Sequence, residues 1–158
     1  MPMKKRKRRL LQFSKWGMTL LWIMSMTGCQ ENTLYHVYQP VKSTGWDKGD
    51  TLHFVPPKSL STTEGKSWQI GIRHKDSYPY QDIWLDIDGD TVHLMLTDKG
   101  GKWLGDGMGG IRQFYQEISL PASITGMDSI RQIKITHLMQ HNPLPGICNI
   151  GIHIGKLP

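Results

Sequence analysis

The stretch DIWLDIDGDTVHLML, residues 82–96, decides the fold class. Apolar residues occupy every second position on both sides of the pair Asp88-Gly89. A period of two is typical of a β-strand with one buried face, and Asp-Gly is a favoured pair in a two-residue hairpin turn. The stretch therefore predicts two antiparallel strands that are joined by a tight turn.

The same alternation recurs along most of the chain after residue 34. Prolines interrupt the alternating runs, because proline cannot donate to a sheet ladder, and no segment shows a long helical period. Strand candidates beside the hairpin are residues 67–73, 112–120, 133–136 and 150–154, with weaker candidates at 35–41 and 51–55. About eight short strands separated by turns predict an all-β fold, namely a single antiparallel two-sheet β-sandwich of the jelly-roll type.

The N-terminus has the three parts of a signal peptide. A basic segment, Lys4–Arg9, precedes an uncharged and mostly apolar run, Trp16–Met26. This run is too short for a good membrane-spanning helix, which needs about 20 apolar residues. The small residues Thr27 and Gly28 then precede Cys29. A signal peptide over residues 1–28 is therefore expected.

Met26-Thr27-Gly28-Cys29 resembles the bacterial lipobox, in which the chain is cut before a cysteine that carries diacylglycerol. The resemblance implies a lipid on Cys29, with further acylation (palmitate or similar chains) on the new amine. Two or three acyl chains hold a protein stably on a membrane, whereas one does not. The expected organisation is the signal peptide, the lipidated Cys29 with a short tether (29–34), and one β-sandwich domain over residues 35–158.

Charge is concentrated in the predicted signal peptide. The whole chain has a formal net charge of +6, from 19 lysines and arginines against 13 acids. Residues 1–28 hold seven of these cations and no acid, so the remainder has 12 cations and 13 acids. A domain with a net charge near −1 lacks the basic surface that nucleic-acid binding requires. We therefore expect a membrane partner through the lipid and no nucleic-acid partner.

The acidic run Asp86–Asp90 resembles the start of a calcium-binding loop. Such a loop needs glycine at its sixth position and glutamate at its twelfth. Thr91 and Thr97 occupy these positions. The run is therefore interpreted as a hairpin turn with solvated acids, and a weaker calcium site of another design stays open.

Two further segments have spacings that occur in ligand sites. Residues 100–110 are rich in glycine, but a phosphate-binding loop needs Ser or Thr after its Gly-Lys pair, and Trp103 follows Lys102. His137 and His141 are four residues apart, which suits zinc on a helix, but along a strand they would be about 13 Å apart. We therefore predict no metal site and no cofactor.

No set of residues suggests catalysis. The chain has no Gly-x-Ser-x-Gly elbow, and no pair of acids stands out as a glycosidase pair. Cys148 lies in an apolar run without an evident base, so it is interpreted as a small buried hydrophobic residue. The protein is therefore predicted not to be an enzyme.

The turn Tyr78-Pro79-Tyr80 and the glycine-rich loop around Trp103 are the candidate interaction surface. Loops carry binding residues more often than strands do, although the same side chains could serve packing alone. An alternative function is carbohydrate binding, which would require aromatic side chains aligned on one exposed face. Most aromatic residues of a small sandwich belong to its core.

From residue 35 to residue 154 the chain resembles the gliding motility lipoproteins of the GldH type, which are found in Bacteroidota. The pieces that carry the resemblance follow in the family's order: Ile72-Arg73, Tyr78-Pro79-Tyr80, Ile83-Trp84-Leu85, Leu96-Thr97-Asp98, then Gly101, Trp103, Gly105, Gly107 and Gly109, and finally Met139, Leu144, Gly146-Ile147 and Ile150-Gly151-Ile152. The chain departs from the family's pattern at Gln140, where arginine is expected, and at Asn149, where aspartate is expected.

The resemblance implies a lipid-anchored, non-enzymatic accessory of the gliding and secretion machinery of the cell envelope. It implies no catalytic residues. Gln30-Glu31-Asn32 contains one acid, whereas the surface-export signals of these bacteria are rich in acids. We therefore expect the protein at the outer membrane, with its domain in the periplasm and with gliding or secretion proteins as partners.

Overall fold

A computed structural model describes residues 32–60, 65–119 and 132–157, so Cys29 and the whole predicted signal peptide lie outside the described residues. The described ranges contain nine β-strands and one 3-10 helix, Lys58–Leu60. The strands are β1 (Thr33–Pro40), β2 (Leu52–Phe54), β3 (Lys66–Lys75), β4 (Asp82–Ile87), β5 (Asp90–Met95), β6 (Asp106–Met108), β7 (Ile111–Glu117), β8 (Ile133–His137) and β9 (Ile147–Lys156).

The strands form two antiparallel sheets. One sheet has five strands in the order β1-β9-β3-β7-β6, and the other has four in the order β2-β8-β4-β5. Apart from β6, which is added at an edge, each sheet has the strand order of a jelly roll, because β1 to β4 alternate between the sheets and β7 to β9 alternate back. The predicted all-β sandwich is confirmed.

The β4–β5 hairpin has the predicted tight turn. Ile87 pairs with Asp90, and the two residues between them have positive φ, 50° at Asp88 and 96° at Gly89. Two consecutive positive φ angles define the turn whose twist matches that of a hairpin, and aspartate tolerates this region better than most residues. Oδ1 of Asp86 accepts the N–H of Gly89 at 3.0 Å, which closes the turn.

The core lies between the two sheets and comes from the alternating positions of the sequence. Ile70 and Ile72 of β3 face Ile83 and Leu85 of β4, and all four side chains are fully buried. Full burial of an aliphatic side chain of this size stabilises the fold by about 1.5–3 kcal/mol relative to an exposed one. The period-two pattern therefore specifies which face of each strand the core uses.

Two details differ from the sequence analysis. β1 begins at Thr33, so Thr33 and Leu34, which were assigned to the tether, lie in a strand. Cys148 is only partly buried, because the β3–β9 register passes from Asn149 to Ile147 and leaves Cys148 as the additional residue of an irregularity. Such an extra residue turns away from the regular in-out alternation.

Candidate docking surface

Four connections between strands lie at one end of the sandwich, which we call the loop end. They comprise residues 41–51, 76–81, 96–105 and 138–146. The loops at one end of a sandwich commonly form its binding surface, since the strands beneath hold them at fixed positions. The two segments that were predicted to form an interaction surface both belong to this end.

Backbone hydrogen bonds join the loops of the loop end to one another. Trp46 and Leu144 exchange two N–H···O bonds of 2.9 and 2.7 Å, which connect the first loop to the fourth. The N–H of Lys75, at the end of β3, donates to the carbonyl of Gly146 at 2.8 Å. The loops therefore form one continuous surface.

The three predicted interaction residues meet at the loop end. The ring centroid of Tyr78 is 5.7 Å from that of Tyr80 and 6.5 Å from that of Trp103. Two histidines extend the group, because the His74 ring lies 4.6 Å from Trp103 and Nδ1 of His141 lies 3.1 Å from the Tyr80 hydroxyl. We call these five residues the aromatic cluster.

Burial divides the aromatic cluster into an inner and an outer part. His74 is fully buried and Tyr78 is 3% exposed, and the Tyr78 hydroxyl donates to a backbone carbonyl at 3.0 Å. Tyr80 and Trp103 are half-buried, and His141 is exposed. Tyr78 is therefore a packing residue of this end, and the outer part is what a partner could contact.

The inner part of the aromatic cluster is electrically neutral at physiological pH. Burial raises the pKa of the Tyr78 phenol and lowers the pKa of the His74 imidazole. Nδ1 of His74 lies 3.0 Å from the carbonyl of Lys75, which can only accept, so Nδ1 carries the proton of the neutral ring. A neutral ring at this position supports Trp103 without placing a buried charge beneath it.

The glycine-rich segment begins with a tight loop that fixes Trp103. Oδ1 of Asp98 accepts the N–H groups of Gly100 and Lys102 at 2.8 and 3.0 Å. Thr97 then pairs with Trp103 in an isolated antiparallel bridge. These contacts hold the indole in place. Lys102 contributes its backbone N–H group to the loop.

The other segments with ligand-like spacing make structural contacts. Oδ1 of Asp86 closes the hairpin turn, and Oδ2 of Asp88 accepts the N–H of Lys134 at 3.2 Å. His137 is buried with Nε2 2.9 Å from the carbonyl of Trp46, whereas His141 belongs to the aromatic cluster. Within the described ranges, no three His, Cys, Asp or Glu side chains converge as metal ligands would.

A depression of about 480 Å³ borders the loop end between the end of β1 and the start of β2. The two charged residues in its lining, Lys42 and Asp50, form an ion pair of 2.7 Å. Trp46 and Leu52, also in the lining, are core side chains. The two charges of the wall are therefore paired with each other.

The outer face of the five-stranded sheet carries a connected group of polar and aromatic side chains. The Tyr115 hydroxyl lies 3.0 Å from Nε2 of His36 and accepts a bond of 3.0 Å from Nε2 of Gln113. Oε1 of Gln113 accepts from Nε of Arg73 at 2.6 Å, and the Arg73 guanidinium carbon lies 3.9 Å from the Tyr38 ring centroid. We call these five residues the polar network, which the sequence analysis did not identify.

His153 continues the polar network toward the start of β1. Its Nδ1 lies 3.0 Å from Oε1 of Gln69, its Nε2 lies 3.2 Å from Oγ1 of Thr33, and its ring centroid lies 5.2 Å from that of His36. Burial, and then the proximity of His36, lower the pKa of His153. The side chain is therefore held in its neutral form by the surface around it.

Two glycines make room for the polar network. Gly71 of β3 and Gly151 of β9 are directly paired, and the Tyr38 ring lies across both. A Cβ at Gly151 would lie 2.6 Å from Cδ1 of Tyr38, and a Cβ at Gly71 would lie 2.5 Å from its hydroxyl oxygen. The ring is thus enclosed between backbone on one side and the Arg73 guanidinium on the other.

The outer face of the four-stranded sheet is more apolar. The Trp84 indole stacks on the His93 ring with centroids 4.0 Å apart, and Oδ2 of Asp82 accepts the Trp84 Nε1 hydrogen at 3.2 Å and lies 2.8 Å from Nε2 of His93. Trp84, Met95 and Leu138 are 41%, 46% and 44% exposed. We call these three residues the apolar patch.

In the described part of the chain, no helix has the length and apolar character that crossing a membrane would require.

Comparison with known proteins gives one consistent family. The family model described as GldH lipoprotein matches residues 33–154. A curated relative, the gliding motility lipoprotein GldH homolog of Christiangramia forsetii, is 23% identical over 153 residues, which covers 85% of this chain and 90% of the relative. No solved structure matches the chain.

Proposed function

Because the chain belongs to the GldH lipoprotein family, we propose that it is a gliding-motility lipoprotein that acts as a non-enzymatic accessory of the gliding and secretion machinery. In this proposal a lipid on Cys29 anchors it to the outer membrane, and its domain lies in the periplasm. The domain binds another envelope protein through the outer part of the aromatic cluster.

The observation that carries the docking role is the arrangement of Tyr80, Trp103 and His141. Three different loops supply these side chains: the Tyr80 and Trp103 rings both contact the buried Tyr78 ring, and His141 contacts Tyr80. Tyrosine and tryptophan are enriched at protein interfaces, because they combine a large apolar area with a polar tip. A partner could bury this surface at a small entropic cost, since the loops are already joined by backbone hydrogen bonds.

The geometry offers little that suggests catalysis. In the described residues, the hydrogen-bond partners of the two cluster histidines are a backbone carbonyl for His74 and the Tyr80 hydroxyl for His141. Nucleophilic catalysis would require a serine or cysteine within hydrogen-bond reach of such a base. The arrangement therefore supports binding better than acyl or glycosyl transfer.

Carbohydrate binding is supported less well. That alternative requires aromatic rings aligned on one exposed face, whereas Trp46, Trp68 and Tyr78 belong to the core. On the polar outer face, the Tyr38 ring is covered by the Arg73 guanidinium. The other exposed or half-buried rings are spread over the loop end and both sheets, and Tyr115 of the five-stranded sheet is engaged in hydrogen bonds with His36 and Gln113.

The test uses the full-length gene in a gliding host that lacks it. The double variant Tyr80→Ala/His141→Ala removes outer side chains only, and Glu117→Ala, on the exposed end of β7, is the matched surface control. We expect the double variant to accumulate normally but to lose gliding and co-purification of a gliding or secretion component, with the control unchanged. Normal gliding and an unchanged set of co-purified proteins would refute the docking role.

Anchoring is tested in the same strains. We expect mass spectrometry of the mature N-terminus to find an acylated Cys29, and the Cys29→Ala variant to leave the membrane fraction. An unmodified Cys29 in the wild-type protein would remove the anchoring part of the proposal while leaving the docking test intact.

A further inference from the structure

β5 is an edge strand of the four-stranded sheet, and one side of its backbone is open. Ile87 and Asp90 flank a two-residue turn, so they form a hydrogen-bonded pair, and every second residue of β5 bonds to β4 from there on. The N–H and C=O groups of Thr91, His93 and Met95 therefore point away from the sheet. Within the described residues, no hydrogen bond reaches these six groups.

The other three edges of the sandwich are protected in ways that β5 is not. β1 has a register irregularity near Thr33 and ends in Pro40. β2 and β6 have three residues each, and Pro56-Pro57 follows β2 closely. Short strands, bulges and prolines are the usual devices that prevent an edge from pairing with another chain, and lysine on the edge is a further one. β5 has six residues and contains neither proline nor lysine.

The open edge has defined limits. It begins at the hairpin turn of Asp88-Gly89, and it ends at Leu96, whose carbonyl accepts the N–H of Leu104 at 2.8 Å. On the outer face, the apolar patch and the His93 ring lie beside it. The edge therefore has room for an added strand of about five or six residues with apolar side chains on one face.

The charge of the hairpin indicates which strand could pair there. Residues 82–95 contain four aspartates and no lysine or arginine, and Lys134 of β8 is close to one of them, Asp88. A second copy of β5 would bring another four aspartates to the same place, which disfavours pairing between copies. A strand with cations next to apolar residues would meet complementary charge instead.

From these observations we propose that the edge of β5 binds an extended, basic segment of another protein by strand addition. The added strand would be the fifth of this sheet. Its main-chain groups would bond to Thr91, His93 and Met95. Its apolar side chains would lie beside the apolar patch, and its lysine or arginine side chains, which point to the opposite face, would reach Asp90. This surface is separate from the aromatic cluster, so the inference goes beyond the proposed function.

The first test measures amide hydrogen exchange on the full-length lipoprotein in detergent micelles. The probes are an eight-residue peptide of alternating lysine and valine and a matched peptide of alternating aspartate and valine. At about ten times its dissociation constant, the basic peptide should slow exchange at Thr91, His93 and Met95 about tenfold. The acidic peptide should leave exchange unchanged, and the Asp90→Asn variant should bind the basic peptide more weakly.

A pair of variants at one position separates strand addition from contact of any other kind. Thr91→Pro and Thr91→Val both remove the hydroxyl, but only proline removes an N–H group that points toward the open edge. We expect Thr91→Val to retain peptide binding and Thr91→Pro to lose it, with thermal unfolding reporting whether Thr91→Pro is folded. If it is not, the Asp90→Asn comparison decides.

Three outcomes would overturn the proposal. They are an absence of protection with the basic peptide, equal protection with both peptides, and protection that rises with protein concentration alone. The last outcome would show that a second copy of the chain occupies the edge.

Discussion

The outer faces of the two sheets differ in how much of their apolar and backbone surface is covered. On the five-stranded sheet, the polar network and His153 bond mainly to one another, and the Tyr38 ring lies between backbone and guanidinium. On the four-stranded sheet, the apolar patch is more than 40% exposed and borders an edge with unpaired backbone groups. A covered face stabilises the fold, whereas an exposed apolar patch beside an open edge is available to a partner.

Residue size at paired positions explains the contrast. Gly71 and Gly151 leave a gap in the middle of the five-stranded sheet, and a tyrosine from the neighbouring strand fills it. The corresponding middle position of the four-stranded sheet holds Trp84, which stands out from the surface and stacks on His93. The same antiparallel geometry thus yields a covered face in one sheet and a projecting one in the other.

Gly151→Ala, on the covered face, is expected to have the largest effect on stability. The added Cβ would lie 2.6 to 2.9 Å from three atoms of the Tyr38 ring, and the ring cannot retreat without losing its contact with Arg73. Overpacking of this kind costs about 1–3 kcal/mol. We expect the free energy of unfolding in urea to fall by that amount.

A double-mutant cycle with Tyr38→Ala identifies the cause. If the clash with the ring is responsible, Gly151→Ala should cost much less in the Tyr38→Ala background than in the wild type. An equal loss of unfolding free energy in both backgrounds would mean that position 151 requires the backbone conformation of glycine and not the space that its missing side chain leaves for the ring.

The next effect is a loss of stability in acid. Burial lowers the pKa of His153, and of the buried His74 and His137, below the ordinary value of 6.5. The unfolded chain then binds protons more readily than the folded one, so stability should be full above pH 6.5 and fall as the pH decreases through and below that value.

The variant His153→Gln separates the part of this pH dependence that comes from the covered face from the part that comes from the core histidines. This variant should show a weaker dependence of the unfolding midpoint on pH between 7.5 and 5, with the remainder due to His74 and His137. A midpoint that is constant over this range in the wild-type protein would contradict the assignment of neutral, buried histidines.

A smaller effect is expected from Tyr115→Phe, which removes only the hydroxyl that connects His36 to Gln113. A hydrogen bond of this kind contributes about 1 kcal/mol net, and water can reach part of this surface to replace it. The unfolding free energy should decrease by at most about that amount. No decrease would mean that the polar network does not stabilise the covered face.

The smallest effect is expected from Met95→Thr on the projecting face. The side chain is 46% exposed, and threonine is a good strand residue, so stability should change by less than about 0.5 kcal/mol. A loss above 1 kcal/mol in the same denaturation experiment would show that the apolar patch is part of the fold.

Alternation in the sequence was sufficient to predict the strands and the class of fold. Six strong or weak candidates coincide with β1, β2, β3, β7, β8 and β9, and the Asp88-Gly89 stretch gives the hairpin of β4 and β5. β6 was not predicted, because its three residues, Asp106–Met108, include a glycine and have no apolar alternation. It forms because Ile111 and its neighbours in β7 offer it a free edge.

The sites were predictable only in part. The two loops chosen from the sequence do meet, but burial of Tyr78 beneath them depends on the packing of Gly146, whose Cβ position lies 2.9 Å from Cα of Tyr78. The polar network could not be foreseen, because its hydrogen bond between His36 and Tyr115 joins residues 79 positions apart. A contact between residues so far apart depends on the arrangement of all the strands, and no local pattern in the sequence predicts it.

The direction of β1 determines at which end of the domain the chain enters. Thr33 pairs with Gly155 at the end where β3 begins, and Pro40 pairs with Asn149 near the loop end. Seven residue steps along a strand span about 23 Å. The chain therefore enters the described domain at the end opposite the aromatic cluster, about one strand length away from it.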